Sequence, residues 1–229
     1  MKKIITTLAF LALGSTSVMS ADIRDFNISG LSLTAGLASN TSVWGASAKE
    51  TNYSETGTLP TINKEHGVFT ESYGSQFVEL GIGRFISLGY EMTSDSITTP
   101  TNISKEGDQK NTVSVDFNDL NTVYAKLNIP GGMYVKYGSV STDLDIKETM
   151  ASGNTYANVS VDGTSIGAGY QRLLGDTGFG FRFEANYLEF DNTKTDNGVA
   201  TSGNHNLIEA TGLEGAAAKF AVTYTFGRD

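Results

Sequence analysis

Seven ionisable residues stand out by their position in the sequence: Glu79, Glu91, Lys126, Lys136, Arg182, Glu184 and Lys219. Each occupies the small or polar phase of a segment whose alternate residues are apolar. Three are acids and four are bases, so opposite charges can pair and share hydrogen bonds. A lone charge on an enclosed face is expensive to desolvate, whereas a well-formed pair is tolerated. Each lies about three to seven residues from a tight turn, which at a strand rise of about 3.3 Å predicts a single band. Such a band could be a salt-bridged plug, or a gate on a narrow polar path. Lys126 and Glu184, of opposite sign, are expected to pair within it.

Other candidate chemistry is thinner. His66 and His205 fall in polar stretches flanking the first and last strand-like segments, which would bring them near each other if the sheet closes. A metal site needs more ligands at fixed spacing, and Asp191 and Asp196 form no such motif. Asp143, Asp145 and Glu148 read more simply as a solvated loop than as a calcium site. No serine is singled out as a nucleophile beside a histidine, so no enzyme is predicted. Leu80-Gly81-Ile82-Gly83 holds a lone GxG with no helix after it, which does not support nucleotide binding. No cofactor is expected.

The elements that must position the seven charges are strands, because the recurring pattern is two-residue alternation. Eight segments show it: 31–37, 78–82, 86–92, 123–129, 133–137, 164–170, 179–187 and 218–226. The clearest is Phe179, Phe181, Phe183, Ala185 and Tyr187 against Gly180, Arg182, Glu184 and Asn186. Three connections are tight: Gly83-Arg84, Pro130-Gly131-Gly132, and Leu174 to Gly178. Four are long and polar, near 49–68, 94–111, 141–158 and 191–206. Short turns alternating with long loops predict an all-β fold, an eight-stranded antiparallel up-and-down transmembrane barrel. The turns then face the periplasm and the loops the exterior.

Phe85, Tyr170, Phe179, Phe181, Tyr224 and Phe226 cluster near the turn ends, as aromatics do at membrane interfaces. Trp44, Tyr53 and Tyr73 are candidates for the opposite rim. Trp44 falls out of phase with Leu31 to Leu37, which predicts a bulge between them.

Lys2 and Lys3, the apolar run Ile4 to Leu13, and small residues to Ser20 read as a signal peptide over 1–20, leaving 21–229 as the barrel. Cleavage after Ala21 is the alternative. The formal net charge of −9 becomes about −11 once Lys2 and Lys3 are removed, which disfavours nucleic acid as a partner. With no cysteine, an exported chain needs a core or a closed sheet for stability. No later stretch reaches the roughly 20 apolar residues of a membrane helix, so a membrane form would have to be a barrel.

Phe220, Val222, Tyr224 and Phe226 form an alternating strand that resembles the C-terminal signature of outer-membrane barrels. Its departure is the extra Gly227-Arg228-Asp229. With Ile166-Gly-Ala-Gly-Tyr170 and Phe181 to Tyr187, the layout is similar to opacity-type surface proteins and to the membrane domain of outer membrane protein A. The resemblance implies outer-membrane lipid and the barrel-assembly machinery as partners in a Gram-negative cell. Four function classes remain: a surface or structural barrel with a plugged lumen and an unidentified extracellular partner, a small porin, a barrel enzyme, and a soluble lipocalin-like barrel. The last would turn its apolar face inward.

Overall fold

The computed structural model describes residues 30–53, 59–106, 109–149, 155–199 and 205–227. The expected signal peptide lies outside these. Every element described is a strand: β1 (Leu31–Tyr53), β2 (Thr61–Ile82), β3 (Ile86–Thr93), β4 (Ile97–Thr98), β5 (Asn102–Glu106), β6 (Gln109–Asn128), β7 (Met133–Thr149), β8 (Val159–Leu173), β9 (Phe179–Phe190), β10 (Thr193–Asp196) and β11 (His205–Phe226).

Eight of them, β1, β2, β3, β6, β7, β8, β9 and β11, form an antiparallel up-and-down ring. It is shut by β1 pairing with β11, from Leu33 opposite Phe226 to Tyr53 opposite His205. The short β4 and β5 attach to the outer half of β6, and β10 attaches to β11. The three tight turns use glycine where the backbone needs positive φ, as at Gly83 (61°), Gly131 (92°) and Gly175 (61°).

The alternation is inside out relative to a soluble protein. Leu37, Leu80, Leu88, Val123, Val135, Ile166, Phe183 and Val222 are exposed on the outer face, while the charged residues lie within. This excludes the lipocalin-like reading, whose apolar face would point inward. Aromatic residues pack against one another on the outer wall near the turns, T-shaped in Phe179–Tyr224 (4.8 Å between centroids) and tilted in Phe183–Phe220 (5.0 Å).

Several expectations need correction. The long polar stretches are strand in part, since β1 runs to Tyr53, β2 starts at Thr61 and β7 extends to Thr149. Most of their side chains are polar on either face, with few apolar exceptions such as Ile97 and Leu144, and this erases the alternation a reader looks for. Trp44 is not a rim residue. It is fully buried, shares the inward phase of Asn40 and Ser42, and no bulge separates it from Leu37. The irregularity in β1–β11 comes after it, between Gly45 and Ser47, where Gly212 on β11 takes φ 59°. Tyr73 likewise lines the interior. Tyr53 does lie at the outer end, stacked on His205.

Candidate functional site: a two-tier lumen

The seven charged residues meet in the half of the lumen nearer the short turns. Glu79 on β2 is the centre of one cluster. Arg182 donates to it through both terminal nitrogens (2.7 Å each), Lys126 through Nζ (2.6 Å) and Tyr124 through its hydroxyl (2.8 Å). Glu184 on β9 accepts from Lys136 (2.6 Å), Lys219 (2.9 Å) and the Tyr134 hydroxyl (2.6 Å). Glu91 on β3 accepts from Lys219 (2.6 Å), Lys136 (3.4 Å) and Ser75 (2.8 Å).

Every ring strand contributes. Gln171 of β8 accepts from both Lys126 (3.0 Å) and Arg182 (3.2 Å), and Asn40 of β1 donates to Ser75 (2.9 Å). The expected Lys126–Glu184 pair does not form, because Lys126 turns to Glu79 and Glu184 is taken by Lys136 and Lys219. Sharing is what makes the charges tolerable. Each carboxylate serves two cations and a hydroxyl, so its lone pairs are satisfied in a space that excludes bulk water. The aromatic rings add to this, with the Arg182 guanidinium 4.4 Å from the Phe77 centroid and Lys136 Nζ 4.7 Å from that of Tyr124.

Glycines make room for these long side chains. A Cβ at Gly36 would sit 2.2 Å from the Phe77 ring, at Gly89 2.3 Å from Tyr124, and at Gly169 2.3 Å from the Tyr134 hydroxyl. Alternating small and large residues is how a narrow barrel fills its interior.

A second tier, not read from the sequence, lies toward the long hairpins. Trp44, Ile97, Phe117, Leu120, Val140, Leu144, Val161, Leu188, Phe190 and Leu213 form a buried apolar cluster inside the barrel. Trp44 stacks obliquely on Phe117 (5.5 Å) and donates its indole N–H to Ser42 (2.7 Å). A bulge in β6 between Asn118 and Asn121, with Asp119 at φ 50°, shifts the phase so that both Phe117 and Leu120 point inward. Between the tiers is a cavity of about 30 Å³, lined by Glu91, Lys136 and Lys219 on one side and Leu120 and Leu188 on the other. That is room for about one or two waters, not a passage. The Asn186 carboxamide oxygen, buried and without a hydrogen-bond partner, belongs to a residue on its wall.

Lumen filled by side chains, lipid-facing apolar wall, aromatic rim and closed antiparallel ring together fit one architecture. No family model and no curated protein matches the sequence. Among solved structures, the outer membrane protein OprG from Pseudomonas aeruginosa overlaps at a TM-score of 0.60 with 10% identity, over 88% of this chain and 98% of that one. The chain has the fold of the small outer-membrane β-barrels. With its apolar outer wall, this barrel is built for an outer-membrane bilayer. The outer membrane protease OmpT from Escherichia coli (12% identity, 85% and 97% covered, TM-score 0.43) and Ail of Yersinia pestis (12%, 82% and 98%, 0.34) are more distant barrels.

The remaining candidates do not assemble a site. His66 shares a hydrogen bond with Ser47 (2.8 Å) on the exposed outer face, and among the described residues no acid hydrogen-bonds to that histidine. His205 bonds the Val199 carbonyl (2.8 Å) and stacks on Tyr53, so the two histidines meet different residues of β1. Asp143 and Asp145 accept from Ser160 and Asn118, and Glu148 accepts from the Tyr156 amide. Among the described residues no group of acids and histidines could hold a metal. Phe220, Val222, Tyr224 and Phe226 all lie on β11, with Phe220 and Val222 exposed on the outer wall.

Proposed function

We propose that this chain is a surface barrel of the outer membrane, with its lumen sealed and its long hairpins presented outside as an interaction surface. The observation that carries the reading is the filled interior among the described residues: an ionic layer below, an apolar layer above, and a cavity of about 30 Å³ between them. In this reading residues 1–20 direct export, and Phe220, Val222, Tyr224 and Phe226 are the strand that the barrel-assembly machinery reads. The seven charged residues act as the inner seal. A pore would need continuous space for hydrated ions, and buried Trp44, Arg182 and Tyr134 each occupy the path. The test is single-channel recording of the full chain in planar bilayers. Absence of steady conductance of porin size is expected. A stable open pore would replace this reading with the small-porin one.

A further inference from the structure

Above Gly74 the barrel wall is paired on one side only. β2 pairs with β1 along its whole length, from Thr61 opposite Asn52 to Ile82 opposite Leu31, without a register shift. β3 pairs only with Ser75 to Ile82. Higher up, β4 and β5 hydrogen-bond to β6 instead. The last backbone bond on the β3 side is Ser94 N–H to the Gly74 carbonyl (3.0 Å). Among the described residues, Thr61 to Tyr73 have no backbone partner on that side.

The Gly74 bond fixes the phase. Because strand residues alternate in direction, even-numbered residues of β2 present N–H and C=O to the open side. Those are Ile62, Lys64, His66, Val68, Thr70 and Ser72. Their side chains share the outward phase of Leu80 and Ile82, and all six are exposed. An apolar belt about 25 Å tall ends roughly ten residues above the Gly83 turn, so this edge stands outside the membrane.

An unpaired edge is a template for another strand. We propose that the β2 edge binds an extended segment of a partner protein by strand addition, and that the segment is acidic and apolar in alternation. Charge selects this occupant. On the edge Ile62 and Val68 flank Lys64 and His66, no acid of β2 shares that face, Glu209 across β1 is already paired with Lys49 and Lys194, and among the described residues no carboxylate pairs with Lys64. A second copy of the same edge would therefore bring no acid to Lys64. Among the described residues the side-chain ties across the opening, Asn102 to Glu65 (2.8 Å) and the Phe69–Phe117 ring contact (6.5 Å), lie on the opposite face. This inference rests on the surface-interaction reading and gives it a location.

The probe is a fluorescein-labelled peptide carrying Val, Glu, Glu and Val at alternate positions separated by Thr, with a second peptide in which Lys replaces Glu. Binding is followed by anisotropy to the full chain folded in detergent micelles. The acidic peptide should bind and the basic one should not. Val68→Pro removes one edge N–H while sparing the bonds to β1, and should weaken binding roughly ten-fold, about one lost backbone hydrogen bond. Lys64→Glu should reverse the charge preference. Heat-modifiable migration confirms that each variant is folded. No binding of the acidic peptide, or equal binding by folded Val68→Pro, overturns the proposal. A wild-type dimer abolished by Val68→Pro also overturns it, in favour of a second copy. If the chain is silent in bilayers yet ignores the peptide, only the edge assignment fails; a conducting chain overturns the surface reading instead.

Discussion

The two tiers of the lumen close the same barrel by opposite means. The inner tier packs four cations around three carboxylates, each carboxylate held by two cations, and is fixed by direction as much as by volume. The outer tier packs Trp44, Phe117, Leu120 and their neighbours with hardly a polar atom. One is fragile toward the loss of a single partner, because the others are left charged and dry. The other loses stability in proportion to the volume removed.

The largest effect should come from breaking the inner tier at its most shared point. Glu79→Gln leaves Lys126 and Arg182 buried without a carboxylate and should destabilise the barrel by about 3–5 kcal/mol, read by urea unfolding in micelles. Leu120→Ala in the outer tier should cost about 2–4 kcal/mol, with the neighbours partly collapsing into the gap. If the two rank the other way, the contrast between direction and volume fails.

A double-mutant cycle sharpens the inner tier further. Lys136→Met with Glu184→Met should show a coupling of about 0.5–3 kcal/mol, and Lys126→Met with Glu184→Met a smaller one, since only the first pair is in contact. Equal couplings would mean that the layer behaves as a diffuse charge pool.

The smallest effect lies outside both tiers, where Glu209 is held down to about 2 by hydrogen bonds and charge from Lys194 and Lys49. A depressed carboxyl contributes above its unfolded pKa of about 4.3 and stops contributing as pH falls through the folded value. Protection of the β10–β11 amides should therefore decline between about pH 4.3 and 2, and decline earlier in high salt. The enclosed inner tier should show little of that salt dependence.

The same contrast explains what was legible in the sequence. The inner half reads clearly because each strand leaves a tight turn with unbroken alternation, so a charge such as Arg182 between Phe181 and Phe183 can only face the lumen. Tyr124 and Tyr134 sit on that phase too, but a tyrosine does not declare itself as a hydrogen-bond donor to a buried carboxylate. The outer half reads poorly. The bulge at Asn118–Asn121 reverses the phase of β6, and β1 carries Trp44 in the inward phase although its residue type alone suggests a membrane rim. The β2 edge is invisible in sequence, because pairing is a property of the neighbour and not of the strand.

Sealing is the claim on which the functional reading rests, and single-channel conductance tests it most directly, with the wild-type chain recorded beside Trp44→Ala. Both should be silent at porin-sized currents, because the ionic layer remains filled when the apolar one is opened. A steady open current from the wild-type chain would contradict the account.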